Sequence, residues 1–204
     1  MTELEILTVD NDQHLQVLRS KSKKVQRVTP KLVAFAERML ETMREANGVG
    51  LAAPQVGVVQ RFFVVELPED EENNQPAETY ILFNPEIVKG RGEQVGYEGC
   101  LSIPGYIGEV ARQEHITVKG LNEKGKSVRL KVQGYLARVF QHEIDHLDGI
   151  LFTDRLTDPN TFQPVEVGQE EAAELQAATE QQAASGRSAV ADQQAAAGTK
   201  LALS

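Results

Sequence analysis

The sequence predicts a single domain that mixes helices with short strands, and three observations lead there. The chain has 204 residues, 41% of them apolar, which suits one buried core with a tail to spare. Two segments repeat apolar residues at three- and four-residue spacing, the signature of a helix with one buried face. Several shorter apolar runs are bounded by Gly, Pro and Asn, as strands are. Aromatic residues are few and Trp is absent, so the core is expected to be aliphatic.

The elements follow in order. Up to about Val28 the chain mixes short apolar patches with polar residues and reads as an extended arm. Thr29 then offers an N-cap and Pro30 a first helical position. Leu32, Phe35, Ala36, Met39, Leu40 and Met43 form one helical face that runs to about Ala46, and Asn47-Gly48 ends it. Arg61 to Leu67 (RFFVVEL) reads as a strand, and Pro68 to Ala77 as an acidic loop. Tyr80 to Val88 holds a second strand that Pro85 should limit. Ile116 to Leu121 and Val128 to Val132 read as a hairpin around Asn122 to Gly125. The clearest helix runs from Tyr135 to about Leu147, with Gly149 as its stop. From about Pro159, Gln, Ala, Glu, Ser and Gly dominate. Glu170 to Gln182 is expected to form a polar helix. Beyond Ala183 there is too little apolar surface to offset chain entropy, so a disordered tail is expected.

The net charge of -9 argues against a nucleic-acid-binding module, which needs a basic face to neutralise phosphates. The basic stretch KSKKVQR at 21–27 reads as a solvated loop. Cys100 stands alone, which excludes an internal disulfide and suits a reducing compartment. The N-terminus lacks a signal pattern, and no run approaches the roughly 18 apolar residues a membrane span requires. A cytoplasmic protein is expected.

The chemistry is concentrated at Gln141-His142-Glu143-Ile144-Asp145-His146, an H-E-x-x-H sequence on the last helix. Histidines four apart share one helix face, so both imidazoles can reach a single metal ion. Glu143 points about a hundred degrees around the helix from His142. It can serve as the general base for a water at the metal's open position. A catalytic metal needs a third protein ligand, and Cys100 in Glu98-Gly99-Cys100-Leu101-Ser102 supplies a thiolate. Alone, such a cysteine reads as a small buried hydrophobe; beside H-E-x-x-H it completes a Cys-His-His set. His14 and His115 have no spaced partner and read as surface or structural residues. The loop GVGLAAPQVG at 48–57 lacks the Gly-Lys-Ser/Thr of a phosphate loop. It is either a tight turn with Gln55 facing solvent or a ligand loop in which Gln55 offers amide donors amid apolar neighbours.

Taken together, Gly48-Val49-Gly50-Leu51-Ala52-Ala53-Pro54-Gln55, the Glu98 to Ser102 segment and the Gln141 to His146 segment closely resemble the peptide deformylase family, whose motifs read GxGLAAxQ, EGCLS and QHExDH. The resemblance covers roughly Ile6 to Leu156. It implies an α+β fold, with antiparallel β-sheets around a central helix that carries the H-E-x-x-H motif. A catalytic domain over 1–158 and a Gln/Ala-rich tail over 159–204 follow. The implied activity removes the formyl group from the N-terminal formyl-methionine of new polypeptides. The implied cofactor is one divalent metal per chain, commonly Fe²⁺, with Zn²⁺ or Ni²⁺ as occupants of the same site.

The resemblance also implies roles for residues. Cys100, His142 and His146 are metal ligands, and Glu143 is the base. The Leu101 backbone N–H and the Gln55 side chain are oxyanion donors. Gly50 shapes the formyl pocket, and Val49 and Val139 line the methionine pocket. Glu98 and Arg112 match an ion pair bracing the cysteine loop, and Asp145 reads as a helix brace. Arg138 stands where the family has an apolar residue and is expected to turn to solvent. Partners would be formyl-methionyl nascent chains and, transiently, the ribosome, with no direct nucleic-acid recognition and no membrane contact. Two other readings use the same residues. A zinc endopeptidase would add a downstream carboxylate or histidine ligand, for which only Asp145, Asp148 and Asp154 are near. An inactive homologue would bind nascent chains or the ribosome through its tail, although Cys100, Glu143 and both histidines are intact.

Overall fold

A computed structural model of the chain describes residues 4–69 and 77–165. The helix expected at Glu170 to Gln182 and the tail beyond Ala183 lie outside these residues. The described chain runs α1 (Asp12–Leu18), α2 (Pro30–Glu45), β1 (Gly50–Ala52), a 3₁₀ turn (Ala53–Val56), β2 (Phe62–Leu67), β3 (Glu78–Arg91), β4 (Gln94–Cys100), β5 (Ile103–Arg112), β6 (His115–Leu121), β7 (Ser127–Gln133), α3 (Gly134–Leu147) and β8 (Gln163–Pro164), with two further 3₁₀ turns between α3 and β8. The strands form two antiparallel sheets, one in the order β1-β2-β3-β6-β7 and one in the order β4-β5-β8.

β2 explains why the larger sheet is covered on both faces. Phe62 to Val65 are all fully buried, a continuous apolar run without alternation. Phe63 and Val65 pack against α3 through Leu136, Phe140, Ile144 and Leu147. Phe62 and Val64 pack against α2 through Ala36, Met39, Leu40 and Met43. An aliphatic core was expected, and this is corrected: Phe62, Phe63, Phe83, Phe140 and Phe152 are among the largest fully buried side chains. Five of the phenylalanines are buried, and Phe140 meets Phe63 and Tyr80 edge to face at centroid distances of 5.1 and 5.3 Å.

α2 is as its sequence dictates. Thr29 accepts the Leu32 N–H, Pro30 occupies the first turn, and Asn47 (φ 54°) takes the left-handed conformation that ends it. The arm before Val28 differs from expectation. Asn11 caps a two-turn helix by accepting from the Gln13 and His14 amides, and the helix is too short for its periodicity to stand out. β3 also differs, running to Arg91 through Pro85. The register shifts between Phe83 and Glu86, so the proline falls in a bulge where no ladder N–H is needed. Asn84 (φ 52°) forms that bulge and exchanges two 2.8 Å hydrogen bonds with the Val25 backbone. β4 and β5 were not foreseen as strands. Past residue 158 the chain still follows β5, through β8 and through the Tyr106–Phe162 ring stack at 4.9 Å.

The packing makes a direct test. Phe140→Ala should lower the free energy of unfolding by about 3–5 kcal/mol, read from urea denaturation. A loss below 1 kcal/mol would show that α3 is not seated on the sheet through this ring.

Candidate metal centre and active site

The site forms where α3 passes the ends of β1 and β4. His142 and His146 lie one turn apart on α3, with their Nε2 atoms 3.1 Å apart. Cys100 closes β4, where the register against β5 jumps from Gly99 opposite Ile107 to Cys100 opposite Ile103, and its Sγ lies 3.2 Å from His146 Nε2. The three atoms lie within 4.8 Å of one another. Ligands at about 2.0–2.3 Å around one tetrahedral ion sit roughly 3.3–3.7 Å apart, so the cluster is close to the size a single ion requires. Its chemistry agrees. The His142 Nδ1–H donates to Glu98 at 2.9 Å, which fixes the tautomer and leaves the Nε2 lone pair facing Sγ and His146. Cys100, His142 and His146 could therefore hold a metal ion.

Glu143 is buried beside this cluster, and its Oε2 has no hydrogen-bond partner among the described residues. Burial raises its pKa to about 7, with the neighbouring Glu98 adding to the effect. Gly50 on β1 makes room for it, because a Cβ there would lie 2.8 Å from the Glu143 Cδ. Burial likewise holds His146 well below its ordinary value, with neighbouring His142 and Arg112 adding to the effect. The same burial acts on His142, but Cys100 and Glu98 override it and raise that imidazole.

Gln55 does not face solvent. Its 3₁₀ turn buries it, its Oε1 accepts from the Ala52 N–H at 2.8 Å, and its Nε2 points to Ser102 Oγ (3.2 Å) and Cys100 Sγ (3.5 Å). Leu101 lies in the turn that joins β4 to β5. Val49, Gly50, Val139 and Tyr97 line a pocket of about 840 Å³ with the cluster at its base. β1 and β4 flank this pocket, and each is the outer strand of its sheet. His14 accepts from the Thr8 N–H, and His115 lies on β6.

Beneath the cluster lies a buried charge network. Glu98 accepts from Arg112 Nε and Nη2 (2.9 Å each), from Arg138 Nη1 (2.8 Å) and from His142 Nδ1. Burial alone would raise its carboxyl, but the bonds from Arg112 and His142 hold it far below the usual carboxylate range. Arg112 also donates to Asp145, which takes a second arginine, Arg155, at 2.9 Å. The expectation that Arg138 turns to solvent is corrected. It is only 3% exposed, because Glu98 and three backbone carbonyls of β4 and β5 draw its guanidinium inward. Ser102, fully buried against Gln55, was also missed, since a serine in a glycine-flanked loop carries no signal of its own.

Three clustered soft and borderline donors beside a buried carboxylate place the chain among the metal-dependent hydrolases. The family model described as polypeptide deformylase matches residues 3–162. A peptide deformylase of Thermomicrobium roseum is 49% identical over 163 residues, covering 79% of this chain and 93% of that protein. One from Halothermothrix orenii is 51% identical over 140 residues, 69% of this chain and 87% of that protein. The crystal structure of peptide deformylase from Thermotoga maritima superposes with a TM-score of 0.70 at 40% identity, covering 78% of this chain and all of that one. The chain belongs to the polypeptide deformylase family. No helix among the described residues is long and apolar enough to cross a membrane.

The network can be tested without turnover. Glu98→Gln leaves two buried guanidinium groups facing a neutral amide and should cost about 3–5 kcal/mol of stability, measured by urea unfolding of the metal-free protein. An unchanged midpoint would refute the network's structural part.

Proposed function

We propose that this chain hydrolyses the N-terminal formyl amide of formyl-methionyl chains on newly synthesised polypeptides and releases formate. The observation that carries the reading is the buried Glu143 carboxylate, whose Oε2 has no hydrogen-bond partner among the described residues, beside the clustered Cys100, His142 and His146 at a pocket flanked by β1 and β4. Cys100, His142 and His146 would hold one divalent ion, Fe²⁺ in the cell, with Zn²⁺ or Ni²⁺ as alternatives. When bound, that ion supplies Lewis-acid chemistry, lowering the pKa of a water and polarising the formyl carbonyl.

The chain's own groups do the rest. Glu143 takes the proton of the attacking water and gives it to the departing amine. The Gln55 Nε2–H and the Leu101 N–H donate to the formyl oxygen as negative charge develops there, each worth about 10²–10³ in rate. Gly50 keeps the space beside Glu143 free for a group as small as formyl. Val49 and Val139 offer an apolar wall to the methionine side chain. The outer edges of β1 and β4 can pair with the substrate backbone in extended form, which selects a chain end threaded into the cleft. Supporting this, the peptide deformylase of Synechococcus elongatus, similar at 37% identity, is solved in complex with actinonin. Residues 1–158 would form the catalytic unit. The Gln/Ala-rich segment 159–204 would make any transient ribosome contact, in the cytoplasm.

Formate release from a formyl-Met tripeptide, with metal analysis under anaerobic conditions, tests the assignment. Cleavage of internal peptide bonds alone would overturn it in favour of an endopeptidase. Glu143→Gln should lower kcat by about 10²–10⁴ while metal content stays at the wild-type level; full activity would refute the assigned base. Cys100→Ser should lower Fe²⁺ retention, measured as iron per chain after anaerobic gel filtration, and equal retention would remove the thiolate from the ligand set.

A further inference from the structure

The three clustered atoms belong to two separate packing units. His142 and His146 ride on α3, which packs on β1, β2, β6 and β7 of the larger sheet. Cys100 ends β4, in the smaller sheet. Metal–ligand distances tolerate only about 0.2 Å, so something must tie β4 to the helix. Glu98 meets His142, Gln94 Nε2 donates to Gly134 O at 2.8 Å, and a third side chain reaches furthest across the gap. Arg138, one helical turn before His142, sends Nη1 to Glu98 (2.8 Å), Val110 O (3.0 Å) and Gly96 O (3.3 Å), and Nη2 to Gln94 O (3.2 Å). It thus holds β4 at three residues and β5 at one. Gly96 admits it, because a Cβ there would lie 3.3 Å from Nη2.

We propose that Arg138 is a positioning residue that keeps the cysteine strand in register with the histidine helix, and so sets the geometry of the metal site. This rests on the reading of Cys100, His142 and His146 as metal ligands. Arg138 borders the pocket, but its guanidinium is buried and engaged with four acceptors on the protein, which commits it to the scaffold. The planar fork matters as well as the charge. A lysine ammonium has one nitrogen, so it can stand in for Nη1 but has no second donor nitrogen for the Gln94 carbonyl that Nη2 reaches. Loss of Arg138 still leaves Glu98 bonded to Arg112 and His142, so the domain keeps its main buried pair while β4 loses the tie that holds it at Gln94, Gly96 and Glu98 together.

The test uses full-length wild type, Arg138→Met and Arg138→Lys, each loaded anaerobically with Co²⁺. The readouts are the thiolate-to-cobalt charge-transfer absorption, the rate of Co²⁺ loss to excess EDTA, and the Tm of the metal-free protein. Arg138→Met should lose Co²⁺ at least about tenfold faster than wild type, with a shifted or weakened sulfur-to-cobalt band, and Arg138→Lys should fall between the two. A wild-type spectrum and loss rate in Arg138→Met, with only the Tm lowered, would overturn the proposal and leave Arg138 as packing. Should Arg138→Met fail to fold, Arg138→Lys decides, and a wild-type loss rate in it counts against the proposal. If the wild type itself takes up Co²⁺ without a sulfur band, the ligand assignment falls, and this inference with it.

Discussion

The Glu98 carboxylate is the constraint on which the rest of the structure turns. A negative charge this deeply buried is tolerable only when its lone pairs are met, and Arg112 from β5 and Arg138 and His142 from α3 meet them. Its neighbours inherit the constraint. Arg112 needs a second acceptor and finds Asp145. His142 must donate from Nδ1, and so presents Nε2 to the cluster. Gly96 and Gly108 flank Glu98 without side chains, and a Cβ at Gly108 would fall 3.3 Å from the Phe152 ring. The smaller sheet thus adds charge pairing to its apolar cluster of Ile103, Val110, Leu151 and Phe152, and β4 and β5 meet α3 around an ionic centre.

That choice shaped what could be read from the residues. H-E-x-x-H is local, so its helix and its shared face follow from spacing alone, and α2 announces itself through Thr29, Pro30 and Asn47. The hairpin of β6 and β7 was equally plain, since its apolar residues alternate inward. β4 and β5 break the rule that makes strands legible. Along β4, Glu98 points inward while Val95 and Tyr97 lie 51% and 45% exposed, so the polar and apolar faces are exchanged. Arg138 was misjudged for the same reason: a charge on an amphipathic helix reads as solvent-facing unless its buried partner is known. Gln55 stayed ambiguous because its partners, Ser102 and Cys100, lie far away in sequence.

A similar division holds for the active-site groups. Types of residue were legible: two imidazoles, a thiol, a carboxylate, an amide. Their separations were not, because Cys100 meets the imidazoles only once β4 is set beside α3, and Gly50 reaches Glu143 only through the packing of α3 across β1. Gly50 gained a second reason for being glycine from the fold, since any side chain would displace the carboxylate as well as fill the pocket.

The two open strand edges carry a further consequence. Unpaired backbone at the margin of a sheet invites association with other chains, and proteins ordinarily defend it with charge, proline or brevity. Here β1 is three residues long and β4 is interrupted by glycines, and they face each other across one cleft instead of lining the outer surface. The protein can thus keep adhesive backbone permanently available without the hazard of aggregating through it.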